Sequence, residues 1–112
     1  MAGFNKGGMG GAGMQNLMKQ AQKMQEEMQE TEKMLDEWEI VGTAGGEAVV
    51  VYMNAKKIID GIEIDKSVID PEDEEMLEDL IMAAILDGYK KADEVYKDKM
   101  GKFSAAGMGG LF

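Results

Sequence analysis

"EWEIVGTAGGEAVVVYMNAKKIIDGIEI", residues 37 to 64, decides the fold. On either side of it apolar residues recur at helical spacing, whereas inside it the period falls to two. "EWEIVGT" runs into Ala44-Gly45-Gly46, a turn signal. "EAVVVYM" (47 to 53) is β-branched and aromatic, Asn54-Ala55-Lys56-Lys57 reads as a second turn, and "IIDGIEI" (58 to 64) alternates again. Three extended segments joined this tightly predict a three-stranded antiparallel meander.

Working toward the N-terminus, apolar residues fall on a heptad. Met14, Ala21, Met28 and Leu35 take one seam position and Leu17, Met24, Thr31 and Trp38 the other, with Met18 and Met34 beside them. That spacing predicts a helix from Met14 to Trp38, roughly 37 Å long. Working toward the C-terminus, Asp70-Pro71 opens a second helix, with Asp70 as N-cap, Pro71 at the first helical position, and Glu72, Asp73, Glu74 and Glu75 at the positive end of the dipole. It is predicted to run to about Lys102. Its segment "LIMAAIL" (80 to 86) is apolar all round, which implies burial on several sides.

The fold class expected is therefore α+β: long helix, three-stranded antiparallel meander, long helix. Residues 14–103 form a single domain, and 1–13 ("MAGFNKGGMGGAG") and 104–112 ("SAAGMGGLF") are flexible Gly/Met-rich arms, because that composition loses too much backbone entropy to fold unaided. A small sheet cannot cover the apolar stripes of both helices, so a homodimer packing helices from two subunits is predicted.

Composition narrows the chemistry. Among 112 residues there is neither Cys nor His, which removes disulfides, thiolate metal sites and the usual general base. All twelve basic residues are Lys, which meet phosphates as point charges rather than as bidentate forks reading guanine edges. The longest apolar run, Leu80 to Leu86, is far short of a membrane span, and the first thirty residues hold no run of signal-peptide length, so a cytoplasmic setting is expected.

Charge is unevenly spread over a net −10. Lys6, Lys19 and Lys23 precede any acid, and Lys90, Lys91, Lys97, Lys99 and Lys102 crowd the end of the second helix. Acids dominate between. Acids at the start of the second helix and lysines at its end complement the dipole. Lys6, Lys19 and Lys23 stand near the predicted start of the first helix, where the dipole disfavours cations, so some other advantage, such as an anionic partner, would account for them. Lys56-Lys57 is the one basic pair in the middle of the chain, on a turn that projects side chains outward; a solubilising turn and a phosphate contact both fit it.

Other sites weigh little. Gly8, Gly10 and Gly13 match G-x-G-x-x-G, but no strand precedes them. Twelve methionines invite a copper reading, but Met14, Met24 and Met28 follow the helical seam rather than the tight clusters that hold copper, and "DPEDEE" lacks the spaced oxygens and central Gly of a calcium loop. Paired carboxylates without a cleft or sugar platform do not make a glycosidase. No catalytic residue, metal, cofactor or small-molecule substrate is expected.

Three segments carry a resemblance: "GMQNLMKQAQKMQEEM" (13 to 28), "NAKKIIDGIEID" (54 to 65) and "PEDEEMLEDLIMAAI" (71 to 85). Together they resemble the YbaB/EbfC family of bacterial nucleoid-associated proteins over nearly the whole chain. The resemblance implies an intertwined, tweezer-like homodimer that binds double-stranded DNA in the nucleoid with little sequence preference and influences nucleoid organisation or gene expression. Some relatives place basic residues where this chain has Val50, Asp60 and Gly61. That departure either weakens DNA affinity or shifts it onto Lys19, Lys23, Lys56, Lys57, Lys90 and Lys91. The alternative is an acidic, Met-rich helical module that docks protein partners and binds DNA weakly or not at all.

Overall fold

The computed structural model describes the backbone of residues 2–104 and the side chains of residues 13–104. Helix α1 (Ala2–Glu37) leads into strands β1 (Ile40–Ala44), β2 (Val49–Met53) and β3 (Ile59–Ile64), then a short 3-10 turn (Lys66–Val68) and helix α2 (Glu74–Phe103). The strands pair antiparallel in the order β1-β2-β3, the meander expected. α1 begins earlier than the heptad implied, its backbone taking in residues 2–13; the side chains of residues 1–12, Lys6 among them, and residues 105–112 of the expected tail lie outside the described residues.

Both turns owe their shape to left-handed backbone. Gly45 and Gly46 each have φ +64, and Glu47 follows at φ 70, so the β1–β2 connection uses glycine where a Cβ would be strained. The β2–β3 turn has φ 69 at Lys57, a non-glycine residue, and is held by Asn54. The Asn54 side-chain oxygen accepts from the Lys56 N–H (2.9 Å) and the Ile58 N–H (3.0 Å), while its amide donates to the Asp36 carbonyl (3.2 Å) at the end of α1. On β3 an irregularity follows: Met53 pairs with Ile59 and Tyr52 with Gly61, which leaves Asp60 as the extra residue of a bulge.

The inner sheet face carries Ile40, Gly42, Val49, Val51 and Met53, all buried beneath α2. α2 meets it with small residues one turn apart: Ala84, Gly88 and Ala92, also buried. A Cβ on Gly42 would lie 2.8 Å from the Gly88 Cα and overlap the Ala84 carbonyl oxygen. Strand and helix backbones are therefore in direct contact. Leu35 of α1 joins Ala55, Met100 and Phe103 in the same core, with Met24, Met28 and Trp38 packed at its margin.

The heptad seam is only half covered. Met24, Met28 and Leu35 pack as expected, but Met14, Leu17 and Met18 are 59%, 62% and 66% exposed. The reason is reach: α2 ends at Phe103, where Lys102 stands 3.6 Å from Glu27, and the part of α1 before Met24 has no described element beside it.

The start of α2 also differs from expectation. Asp70 accepts from the Glu72 N–H (2.9 Å) and its carbonyl from the Asp73 N–H (3.0 Å), so Asp70-Pro71-Glu72-Asp73 is a turn that precedes the helix. Asp73 is the N-cap, accepting from the Met76 N–H at 3.2 Å. Asp73→Ala should therefore lower stability by about 1 kcal/mol in urea titrations, and Asp70→Ala by less.

Candidate nucleic-acid interface

The six lysines singled out by sequence fall into three environments. Lys19 and Lys23 are exposed, one helical turn apart on the half of α1 that extends past α2, and make no ion pair among the described residues. Seen down the helix axis, they lie opposite the apolar seam of Leu17 and Ala21. About 20 Å of helix axis separates Lys23 from Asp36, where the second pair begins.

Lys56 and Lys57 stand on the Asn54 turn, and each already has a carboxylate. The Lys56 ammonium lies 3.1 Å from Asp36, and that of Lys57 lies 2.7 Å from Asp93 and 5.5 Å from the Tyr89 ring centre. With Glu32, Ala55 and Tyr96, the residues Lys56, Lys57 and Asp93 line an open cleft of about 420 Å³.

On α2 the neighbours Lys90 and Lys91 part ways. Lys90 is exposed and makes no ion pair among the described residues, and Lys97, two turns on, shares its face. Lys91 serves the sheet. β1 is an edge strand, and its free edge presents the Thr43 N–H and the Val41 carbonyl. Asp87 accepts from Thr43 N–H at 2.9 Å and pairs with Lys91 at 3.0 Å, while Lys91 donates to the Val41 carbonyl at 3.0 Å. Two side chains of α2 thereby occupy two of the backbone groups that this edge would otherwise offer to another strand.

That bracket has a pH signature. The Thr43 N–H, and after it the Lys91 ammonium, hold the Asp87 carboxyl below its ordinary 3.8. A group whose folded pKa is lowered contributes stability fully present above its unfolded value and lost as pH falls through the folded one. Asp87→Asn should be less stable than wild type at neutral pH, and the gap should close below about pH 4 in acid titrations followed by circular dichroism.

No strand residue is Lys, and the outer sheet face, with Val41, Thr43, Val50, Tyr52, Gly61 and Glu63, has no basic group. The Tyr52 hydroxyl donates to Glu63 at 3.1 Å, and the Glu63 carboxylate holds the phenol above its usual range. Val50 and Gly61 lie on this face and Asp60 in the bulge beside it; the lysines stand on the helices, on the β2–β3 turn and, for Lys66, on the 3-10 turn after β3. The partners Asp36, Asp87 and Asp93 escaped sequence reasoning because each meets its lysine or strand through the fold. Asn54 was legible only as a turn former. Among the described residues no group of three or more His, Cys, Asp or Glu could hold a metal, and no helix is long and apolar enough to cross a membrane.

Two long helices around a small meander, with lysines on helices and turn rather than on the sheet, define a helix–meander–helix protein with a dispersed cationic surface. A solved structure of an uncharacterised protein from Helicobacter pylori shares the fold, with a TM-score of 0.68 and 26% identity, covering 78% of this chain and 91% of that one. The family model for the YbaB/EbfC DNA-binding family matches residues 9–108. Proteins named nucleoid-associated protein are similar throughout: one from Alkaliphilus metalliredigens is 48% identical over 107 residues, 94% of each chain, and one from Clostridium novyi is 50% identical over 104 residues, 92% of this chain and 91% of that one. The chain belongs to the YbaB/EbfC family of nucleoid-associated, DNA-binding proteins.

Proposed function

We propose that the protein binds double-stranded DNA as a homodimer in the bacterial nucleoid, with little sequence preference, and through that binding influences nucleoid organisation or gene expression. The observation that carries this reading is the exposed pair Lys19 and Lys23 on a stretch of α1 free of acids up to Glu26. Mobile ammonium groups spaced along a helix suit phosphates, which position a protein without reading bases. Association is supported by apolar side chains a single chain leaves open: Ile59 and Ile62 of β3, and Met82 and Leu86 of α2 at 56% and 65% exposed.

A dimer carries twice −10, so DNA must meet a surface where lysines gather and acids turn away. The test is a gel-shift salt titration with the mass measured in solution. Four lysines per protomer on phosphates give a slope of log K against log salt of roughly −7 for a dimer. A slope near zero, or a monomer at working concentration, overturns the reading.

A second reading has an observation of its own. Lys56, Lys57, Lys91, Lys99 and Lys102 are already paired with carboxylates of this chain, and Met14, Leu17 and Met18 form an adaptable apolar stripe. An acidic helical module that docks apolar segments of a protein partner fits those features. It predicts that Lys56, Lys57, Lys90 and Lys91 can all be replaced by Ala with no change in DNA retention at low salt.

A further inference from the structure

The β2–β3 turn is built more firmly than a solubilising turn requires. The Asn54 side chain fixes it through three hydrogen bonds, to Lys56, Ile58 and Asp36, its backbone adds bonds to Ile58 and Lys57, and the Ala55 N–H donates to the Leu35 carbonyl at 3.2 Å. Ala55 is buried, and Lys57 is held in left-handed backbone that a non-glycine residue seldom adopts. The consequence is two consecutive lysines on a backbone turn fixed by hydrogen bonds, both lining one cleft with Glu32 and Tyr96.

Each ammonium is held by a carboxylate, Lys56 by Asp36 and Lys57 by Asp93. With Glu32 in the cleft, three acids oppose two lysines, so the site as it stands repels an anion. Yet exposed pairs of this kind are worth only about 1 kcal/mol or less, which a phosphate oxygen can match. The lysines' partners can therefore be exchanged rather than lost.

The geometry points to a phosphodiester seat in the cleft between Lys56 and Lys57, gated by Asp36 and Asp93, which release the two ammonium groups when a DNA phosphate enters. The seat rests on the DNA-binding reading and adds to it the residues that set its strength. Asp36 and Asp93 act as positioning residues: they touch lysines, not DNA.

The experiment compares full-length wild type, D36N/D93N and the charge-matched control E37Q/E94Q, using fluorescence anisotropy of a short labelled duplex across a salt series. Glu37 and Glu94 are exposed neighbours of the two aspartates and make no ion pair among the described residues. D36N/D93N should bind roughly tenfold more tightly at low salt, as two pairs of this strength are released. Its salt slope should steepen by about 0.9 for each lysine freed. The control should shift both far less. Lys57→Ala should weaken binding under about twofold in wild type, where the gain from phosphate is offset by the loss of Asp93, but about fivefold in the D93N background, where Lys57 meets phosphate without giving up a partner.

Equal shifts in D36N/D93N and the control, or equal effects of Lys57→Ala in both backgrounds, overturn the seat while leaving DNA binding intact. Binding by D36N/D93N where wild type shows none supports the gate. Absence of binding in every protein overturns the seat and the DNA reading together.

Discussion

Gly42→Ala is expected to destabilise the protein by about 3 kcal/mol, the upper range for an overpacked core site. The added methyl would meet the Ala84 carbonyl oxygen and the Gly88 backbone, with the Gly88 Cα at 2.8 Å. These are backbone atoms inside a helix, so no rotamer change relieves the contact; β1 and α2 must separate. Separation loosens Val49, Val51 and Met53 at once, because the same helix covers them. Gly88→Ala is the informative contrast. Its methyl would crowd the end of the Met53 side chain, with the sulfur at 3.1 Å, which can swing aside, and would meet the Gly42 Cα at 3.5 Å, an ordinary van der Waals contact. Alanine also gains about 1 kcal/mol over glycine in a helix interior. Gly88→Ala should therefore fall within about 1 kcal/mol of wild type. Urea unfolding of both variants decides the matter, and a Gly42→Ala midpoint equal to that of wild type would mean that the strand and helix are not in backbone contact.

That contact shows what sequence could and could not reveal. The meander was legible because "EAVVVYM" is β-branched and aromatic and "IIDGIEI" alternates, with glycine and asparagine turn signals before each, and the strands formed there. The helices were legible in type, since apolar residues recur every three or four positions. Gly42 and Gly88 carried no such signal, because a glycine in a strand and one in a helix reveal nothing of each other until the chain folds. The N-cap moved from Asp70 to Asp73 for a local reason: in a run rich in acids several side chains can cap, and Pro71 suits a turn as well as a first helical position. The heptad described which face of α1 is apolar and said nothing of how far α2 reaches along it.

The candidate site was legible in a different measure. Lysine positions can be read from sequence, but lysine availability cannot. Lys56 meets Asp36 and Lys57 meets Asp93 only through tertiary structure, and Lys91 is engaged by the β1 edge. The structure therefore ranks lysines that sequence left equal: Lys19, Lys23 and Lys90 are uncommitted among the described residues, Lys56 and Lys57 are held but exchangeable, and Lys91 is structural. Lys91→Ala should accordingly reveal itself as lost stability more than as a changed salt slope.

The ranking makes its strongest demand on α1. Lys19→Ala with Lys23→Ala is expected to weaken binding to duplex DNA roughly tenfold or more at low salt, and to make the salt slope shallower by about 1.8 per protomer. Both residues are exposed and lie opposite the apolar seam, so folding should be untouched: surface changes of this kind stay within about 0.5 kcal/mol. The same pair of substitutions at Lys56 and Lys57 should weaken binding less, because in wild type those ammonium groups must first leave Asp36 and Asp93. Lys19→Arg with Lys23→Arg separates charge from shape. If phosphates are met as point charges, arginine restores the affinity and slope without adding sequence preference; a gain in preference would show base edges within reach. Should the Lys19 and Lys23 variant bind as wild type does with the slope unchanged, DNA does not lie along α1. The exposed stripe of Met14, Leu17 and Met18 then becomes the reason that arm extends past the core, and the partner sought should be a protein.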